Sequence, residues 1–281
     1  MTEAVAAPET ETPRQARPVL RQLLRLTRTE FTLLRRYNVA TFYLVFPLFL
    51  LIPAWQLREE EILPGMNWAV FLLAGSLALM PGVLALLHVA NVYTARRELL
   101  ILKRLRVSGV PPVAMFGATT VSVLVGSCVA IGATVVILGT YFDAWPQAPV
   151  LVALSVVLLA VTLVLLAIAF TRLTRNAESA QMAIMGPFLA LLFTSGATVP
   201  LQVLPDAVAT VLRLLPWTAA FEVAASGYLG YDLVGGIEGA EATTGLSLWT
   251  AAAPWLGVLL VWLAVAVYLL RFVRWDPREA S

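Results

Sequence analysis

Charge, cysteine, lysine and histidine are all scarce in this sequence. Only 13% of its 281 residues are charged, about half the share of a soluble globular domain, and the mean hydropathy is +0.85. The single cysteine, Cys128, excludes an intramolecular disulfide and reads as an inert small hydrophobe. The single lysine, Lys103, is preceded by Leu-Leu-Ile-Leu, so the chain holds no Gly-x-x-x-x-Gly-Lys phosphate loop. Nucleotide hydrolysis of that kind is excluded. One histidine, His88, cannot build a metal site, and no Ser-His-Asp or paired-carboxylate set lies at one depth. Arginine carries nearly all the basic charge, which fits a bacterial genome.

In place of charge the chain has long apolar runs. An unpaired backbone polar group in hydrocarbon costs several kcal/mol, so only helices or closed barrels span a bilayer. Barrel strands alternate over roughly ten residues, whereas these runs are continuous. They predict an all-α membrane protein. A span needs about 20 apolar residues, and six candidates meet that length: 38–57, 67–91, 113–141, 148–171, 182–200 and 249–272. Tyr37, Trp55, Trp68, Tyr93, Tyr141, Trp145, Trp249 and Trp275 sit near their ends as expected interface anchors. No repeat of fixed period is visible.

Residues 1–18 are polar, acidic and rich in Pro, Thr and Ala, and read as a disordered tail, with no cleavable leader. Residues 19–36 differ. Leu20, Leu23, Leu24, Thr27, Phe31 and Leu34 recur at helical spacing, while Arg21, Arg25 and Arg28 share another face. That pattern predicts an amphipathic helix lying in the headgroup region.

Basic residues decide the expected orientation. Seventeen of the nineteen fall before the first span, in the second-to-third and fourth-to-fifth connections, and in the tail. The positive-inside rule therefore puts both termini and both basic loops in the cytoplasm. The opposite side is acidic, with Glu59, Glu60, Glu61, Asp143, Asp206, Glu222, Asp232, Glu238 and Glu241, most of them read as solvated loop charges. The Gly-rich tract 228–245 reads as a mobile outer loop.

Two segments do not span. In the basic loop 95–112, Leu99, Leu102 and Leu105 recur every third residue with Lys103, Arg104 and Arg106 among them, before Ser-Gly and Pro-Pro stop signals. This is a short amphipathic helix at the membrane face, able to pass force to a cytoplasmic partner or to bind anionic lipid. It resembles the "E-R-E-x-G-T-L-x-x-L-R" loop of type 2 ABC exporter permeases, including the antibiotic-resistance exporters. Arg97, Glu98, Leu102, Leu105 and Arg106 match, Arg96 replaces the first acid and Leu100 the usual glycine. The second segment runs from Ser195 through Glu222. Its apolar residues continue past Pro205 and Pro216 but are too few to cross, which predicts re-entrant or interfacial half-helices. It resembles the same family's "S-G-x-x-x-P-x-x-x-L-P" and "L-P-x-T-x-x-x-E" signatures through Ser195, Gly196, Pro200, Leu204, Pro205, Leu215, Pro216, Thr218 and Glu222.

The resemblance implies a multi-pass permease of a bacterial plasma membrane, with domain 37–275, coupling loop 95–112, outer re-entrant element 200–228 and a cytoplasmic tail 276–281. It implies that Arg97, Glu98, Leu102, Lys103, Arg104, Leu105 and Arg106 couple to an ABC ATP-binding subunit. Two such subunits would carry the ATP and magnesium, so this chain needs no cofactor and is not an enzyme. A second permease chain, identical or different, would complete the path. No nucleic acid is expected. The few polar groups in the spans favour a hydrophobic or amphipathic cargo, such as a drug, antibiotic or lipid-like molecule, with polysaccharide or glycolipid export as the alternative in the same family. An ion-coupled secondary transporter is the competing class, and it needs buried ionisable groups near the midplane. Inside the spans His88 and Asn91 are the polar candidates, read either as functional or as an interhelical hydrogen-bonding pair.

Overall fold

Continuous apolar sequence inside a bilayer leaves backbone groups no partner but their own helix, and the computed structural model of the chain is built accordingly. It describes residues 19–36, 49, 52–63, 65–201, 204–233, 237, 240–273 and 275. The elements are α1 (Val19–Arg36), a small hairpin β1 (Glu61–Leu63) and β2 (Met66–Asn67), α2 (Trp68–Glu98), α3 (Ile101–Val107) and α4 (Pro112–Tyr141). They continue with α5 (Pro149–Phe170), α6 (Ala177–Thr194), α7 (Asp206–Leu212), α8 (Pro216–Leu229) and α9 (Leu246–Leu269).

Among the described residues five helices are long and apolar enough to cross a membrane: α2, α4, α5 with its 3-10 end to Leu173, α6, and α9 with its 3-10 end to Phe272. The pair α7 and α8 meets at a bend of 94°. The chain is an all-α membrane protein. The expected first span, 38–57, lies mostly outside the described residues, as do the tails 1–18 and 276–281.

The helix of the expected 67–91 span runs on to Glu98. At 1.5 Å per residue its 31 residues reach about 45 Å, well beyond the ~30 Å hydrocarbon core. The surplus carries Arg96, Arg97 and Glu98 out to the basic end of the bundle. Pro81 lies inside this helix, and a π-helical turn, Ala85–Val89, follows it. Expected span 182–200 instead starts at Ala177 and ends at Thr194. Its start is set by a capping box, in which Asn176 accepts from the Ser179 amide and the Ser179 hydroxyl receives the Asn176 N–H.

The centre of the molecule is α2, whose residues from Ala69 to Leu86 are all buried. Lipid offers apolar surface as readily as protein does, so close packing rather than hydrophobicity selects helix contacts. Small residues on α2 supply it. A Cβ on Gly75 would collide with the Phe221 ring of α8, and one on Gly82 would lie 2.7 Å from a Leu163 methyl of α5. Phe71 adds an edge-to-face contact with Phe221, with ring centroids 5.4 Å apart. By contrast α6 and α9 are peripheral, and Met182, Phe193, Leu260 and Val261 point outward.

Candidate functional site: the basic end and the bent helix pair

Helix α3 is short and begins abruptly. Leu100 sits before it with φ +58°, in the left-handed region, so the chain leaves α2 through a sharp break. Leu100 therefore occupies, in a conformation natural to glycine, the place where the resembling motif has glycine. Leu102 is buried and Leu105 half-buried against the core, while Lys103, Arg104, Arg106 and Val107 are exposed. Leu99 falls in the turn and is exposed, so the three-residue leucine spacing does not form one face. Gly109, at φ +80°, closes the helix, and Pro112 opens α4 at its first position.

Arg97 and Glu98 part company with the other residues of the loop. Arg97 is only 1% exposed, and its guanidinium donates to the carbonyls of Thr171 at 2.6 Å, Thr174 at 2.7 Å and Arg175 at 3.3 Å. Glu98 accepts from the Ala177 amide at 3.4 Å. Both look toward the fourth-to-fifth connection rather than outward from α3.

Sequence reading did not single out Glu30. It is the one acid in α1, and it is buried. Its carboxylate receives both terminal nitrogens of Arg96, at 2.5 and 2.8 Å. Thr119 donates to it at 3.4 Å, and the Tyr93 hydroxyl hydrogen-bonds Thr119 at 2.8 Å. Tyr93 is therefore buried in a polar cluster and is not an interface anchor. At 100° per residue, the inward face of α1 holds Gln22, Leu23, Leu26 and Glu30. Leu20, Leu24 and Phe31 form a separate exposed apolar stripe, and Arg21, Arg25 and Arg28 an exposed basic one. The signal available in sequence was a lone acid one to two turns from Leu23 and Leu26 on an otherwise basic helix. At the same end Trp275 stacks on Phe116, and Arg106 lies 5.0 Å over the Trp275 ring.

At the other end the two proline-marked signatures meet. Gly196, at φ +95°, turns the chain after α6 with Ser195 buried beside it. Thr218 donates to the Thr194 carbonyl at 2.9 Å, and Trp217 to the Thr194 hydroxyl at 2.8 Å. A Cβ on Gly196 would lie 3.3 Å from the Phe221 ring. Pro205 caps α7 and is exposed, Pro216 starts α8 and is buried, and Pro200 is intermediate. Glu222 is not a solvated loop charge. It is 5% exposed within α8 and receives the Arg213 Nε at 3.3 Å across the bend. The expected loop 228–245 starts later, because Tyr228 is buried in α8 and donates to Ala144.

His88 lies in the π-helical turn and Asn91 one turn on, both half-buried. Among the described residues no group of three or more His, Cys, Asp or Glu is placed to hold a metal ion. A groove of about 680 Å³ runs between α2, α5, α6, α8 and α9, within the roughly 300–1,000 Å³ range of ligand pockets. Its walls include Leu86, Leu166, Ile184, Trp217 and Trp262. The indole N–H groups of both tryptophans are already committed, Trp262 donating to Leu214 at 2.8 Å, so they offer apolar faces. Arg172, stacked 5.2 Å over Phe272, is the charged group among the described lining residues.

A family model described as ABC-2 family transporter protein matches residues 40–271. The chain belongs to the ABC-2 transporter family. No curated protein matches it significantly. As an ABC-2 protein it is a multi-pass membrane permease of an ABC transporter, a transport component that is not itself catalytic. Association with ABC ATP-binding subunits follows from membership of the family.

Proposed function

We propose that this ABC-2 permease is the membrane subunit of an ATP-driven exporter in a bacterial plasma membrane, with both termini cytoplasmic. Two copies, or one copy and a related chain, form the path, and two ATP-binding subunits carrying ATP and magnesium drive it. The observation that carries this reading is α3, a helix anchored by buried Leu102 that presents Lys103, Arg104 and Arg106 outward at the basic end. A cationic, rigidly seated helix suits an acidic groove on a soluble partner. The bent pair α7 and α8 serves as the outer cap, being too short and too sharply broken to make a straight span. The groove beside Arg172 supports a hydrophobic or amphipathic cargo over a polysaccharide, whose hydroxyls need a polar lining. Alternating access then requires the cargo to bind the two conformations differently.

The test is co-purification with the ATP-binding subunit. Lys103→Glu, Arg104→Glu and Arg106→Glu together should abolish it while the permease still folds. Undiminished binding by that triple variant would remove α3 from the interface.

A further inference from the structure

We propose that Arg96, Arg97 and Glu98 form a junction that makes α1, α5 and α6 follow the movement of α3. The proposal rests on the reading of α3 as the docking helix and says where its motion goes. Consecutive residues of an α-helix point about 100° apart, so three in a row at the end of α2 can reach three different neighbours. Each of these does. Arg96 holds α1 through both oxygens of Glu30. Arg97 holds the 3-10 end of α5 through the carbonyl of Thr171 and the connection after it through that of Thr174, and Glu98 holds the first amide of α6 at Ala177.

The charges are matched to their targets. The last carbonyls of a helix lack intrahelical donors and carry partial negative charge, while the first amides lack intrahelical acceptors and carry partial positive charge. Arg97 meets the former and Glu98 the latter, on the two helices joined by residues 174–176. Thr94 adds a hydrogen bond to the Thr174 hydroxyl at 3.2 Å. Arg97 is too deeply buried to touch a soluble partner. The planar fork of an arginine fixes its neighbours in direction as well as distance. By chain α3 is joined only to α2 and α4, and beyond them a push would pass by side-chain packing of α1 on α4 and of α2 on α6, which lets helices slide. With the junction, the push reaches the ends of five helices, while the turn at Leu99 and Leu100 lets α3 meet its partner at its own angle.

The experiment uses the permease with its ATP-binding subunit in nanodiscs of phosphatidylethanolamine and phosphatidylglycerol, in a Cys128→Ser background. An environment-sensitive thiol fluorophore is placed at Val107→Cys on α3, at Met182→Cys on α6 or at Arg25→Cys on α1, all exposed positions. In the unmodified junction a non-hydrolysable ATP analogue with magnesium should shift all three signals. With Glu98→Gln, or with Arg97→Lys, which keeps charge and loses the fork, the Val107 signal should persist and the Met182 signal should be lost. Glu30→Gln should silence Arg25 alone. Glu98 is at the surface, so its variant tests the idea even if Arg97→Lys folds poorly. A full Met182 response in the Glu98 and Arg97 variants overturns the junction. Absence of any Val107 response with the junction intact overturns the docking role of α3 instead.

Discussion

Glu30 and Arg96, 66 residues apart in sequence, meet through two parallel hydrogen bonds with both side chains largely shielded from solvent. The pair fastens an amphipathic helix whose other described inward side chains are leucine, glutamine and threonine. Breaking one partner of a buried pair strands the other's charge, which typically costs about 3–5 kcal/mol. Glu30→Gln should therefore lower the unfolding midpoint in detergent markedly. Glu30→Gln combined with Arg96→Gln should cost less than the two single changes added. Strict additivity would show that the two groups do not interact.

The contact between α2 and α8 depends on a missing side chain. Gly75→Ala forces a methyl into the Phe221 ring, and overpacking of this kind costs about 1–3 kcal/mol. Phe221→Leu should recover part of that loss in the double variant, although alone it is destabilising. The measurement is thermal unfolding of the four proteins, and the informative quantity is the sign of the coupling.

Leu100 spends its life in the left-handed region, which costs an L-residue about 1–2 kcal/mol. Glycine relieves that strain but loses roughly 0.5–1 kcal/mol of chain entropy. Leu100→Gly should thus be neutral to mildly stabilising, and Leu100→Val, β-branched at positive φ, clearly destabilising. Equal stability of the two variants would mean that the turn is relaxed differently.

Across the bend between α7 and α8, Arg213 is the partner of a glutamate whose second oxygen, Oε2, is buried without a hydrogen bond among the described residues. Arg213→Ala should loosen the bend by leaving that carboxylate alone, at a cost of about 3 kcal/mol. Glu222→Gln, which removes the charge and nearly keeps the shape, should cost less. Limited proteolysis near residues 212–216 reads this directly, with faster cleavage expected in Arg213→Ala and near-normal cleavage in Glu222→Gln.

Local chemistry settled much of this protein in advance. Apolar runs dictate helices wherever water is absent, so four span regions, 67–91, 113–141, 148–171 and 249–272, stand within a few residues of α2, α4, α5 and α9, α2 apart at its far end. The amphipathic run 19–36, a helix inside 95–112 and the proline-broken stretch after Ser195 are likewise written in spacing and turn residues. Side-chain partnership was not. Which face of α1 turns inward, where Arg97 and Glu98 point, and why Glu222 is buried depend on residues 9 to 89 positions away. A helical pattern specifies that a face exists, and an apolar or basic face can serve lipid, water or partner equally. Only the packing of small residues such as Gly75 against rings such as Phe221, and the pairing each buried charge requires, select one arrangement. Tertiary structure therefore decided that the Arg-Arg-Glu run before α3 faces its own bundle, and that Lys103, Arg104 and Arg106 face outward.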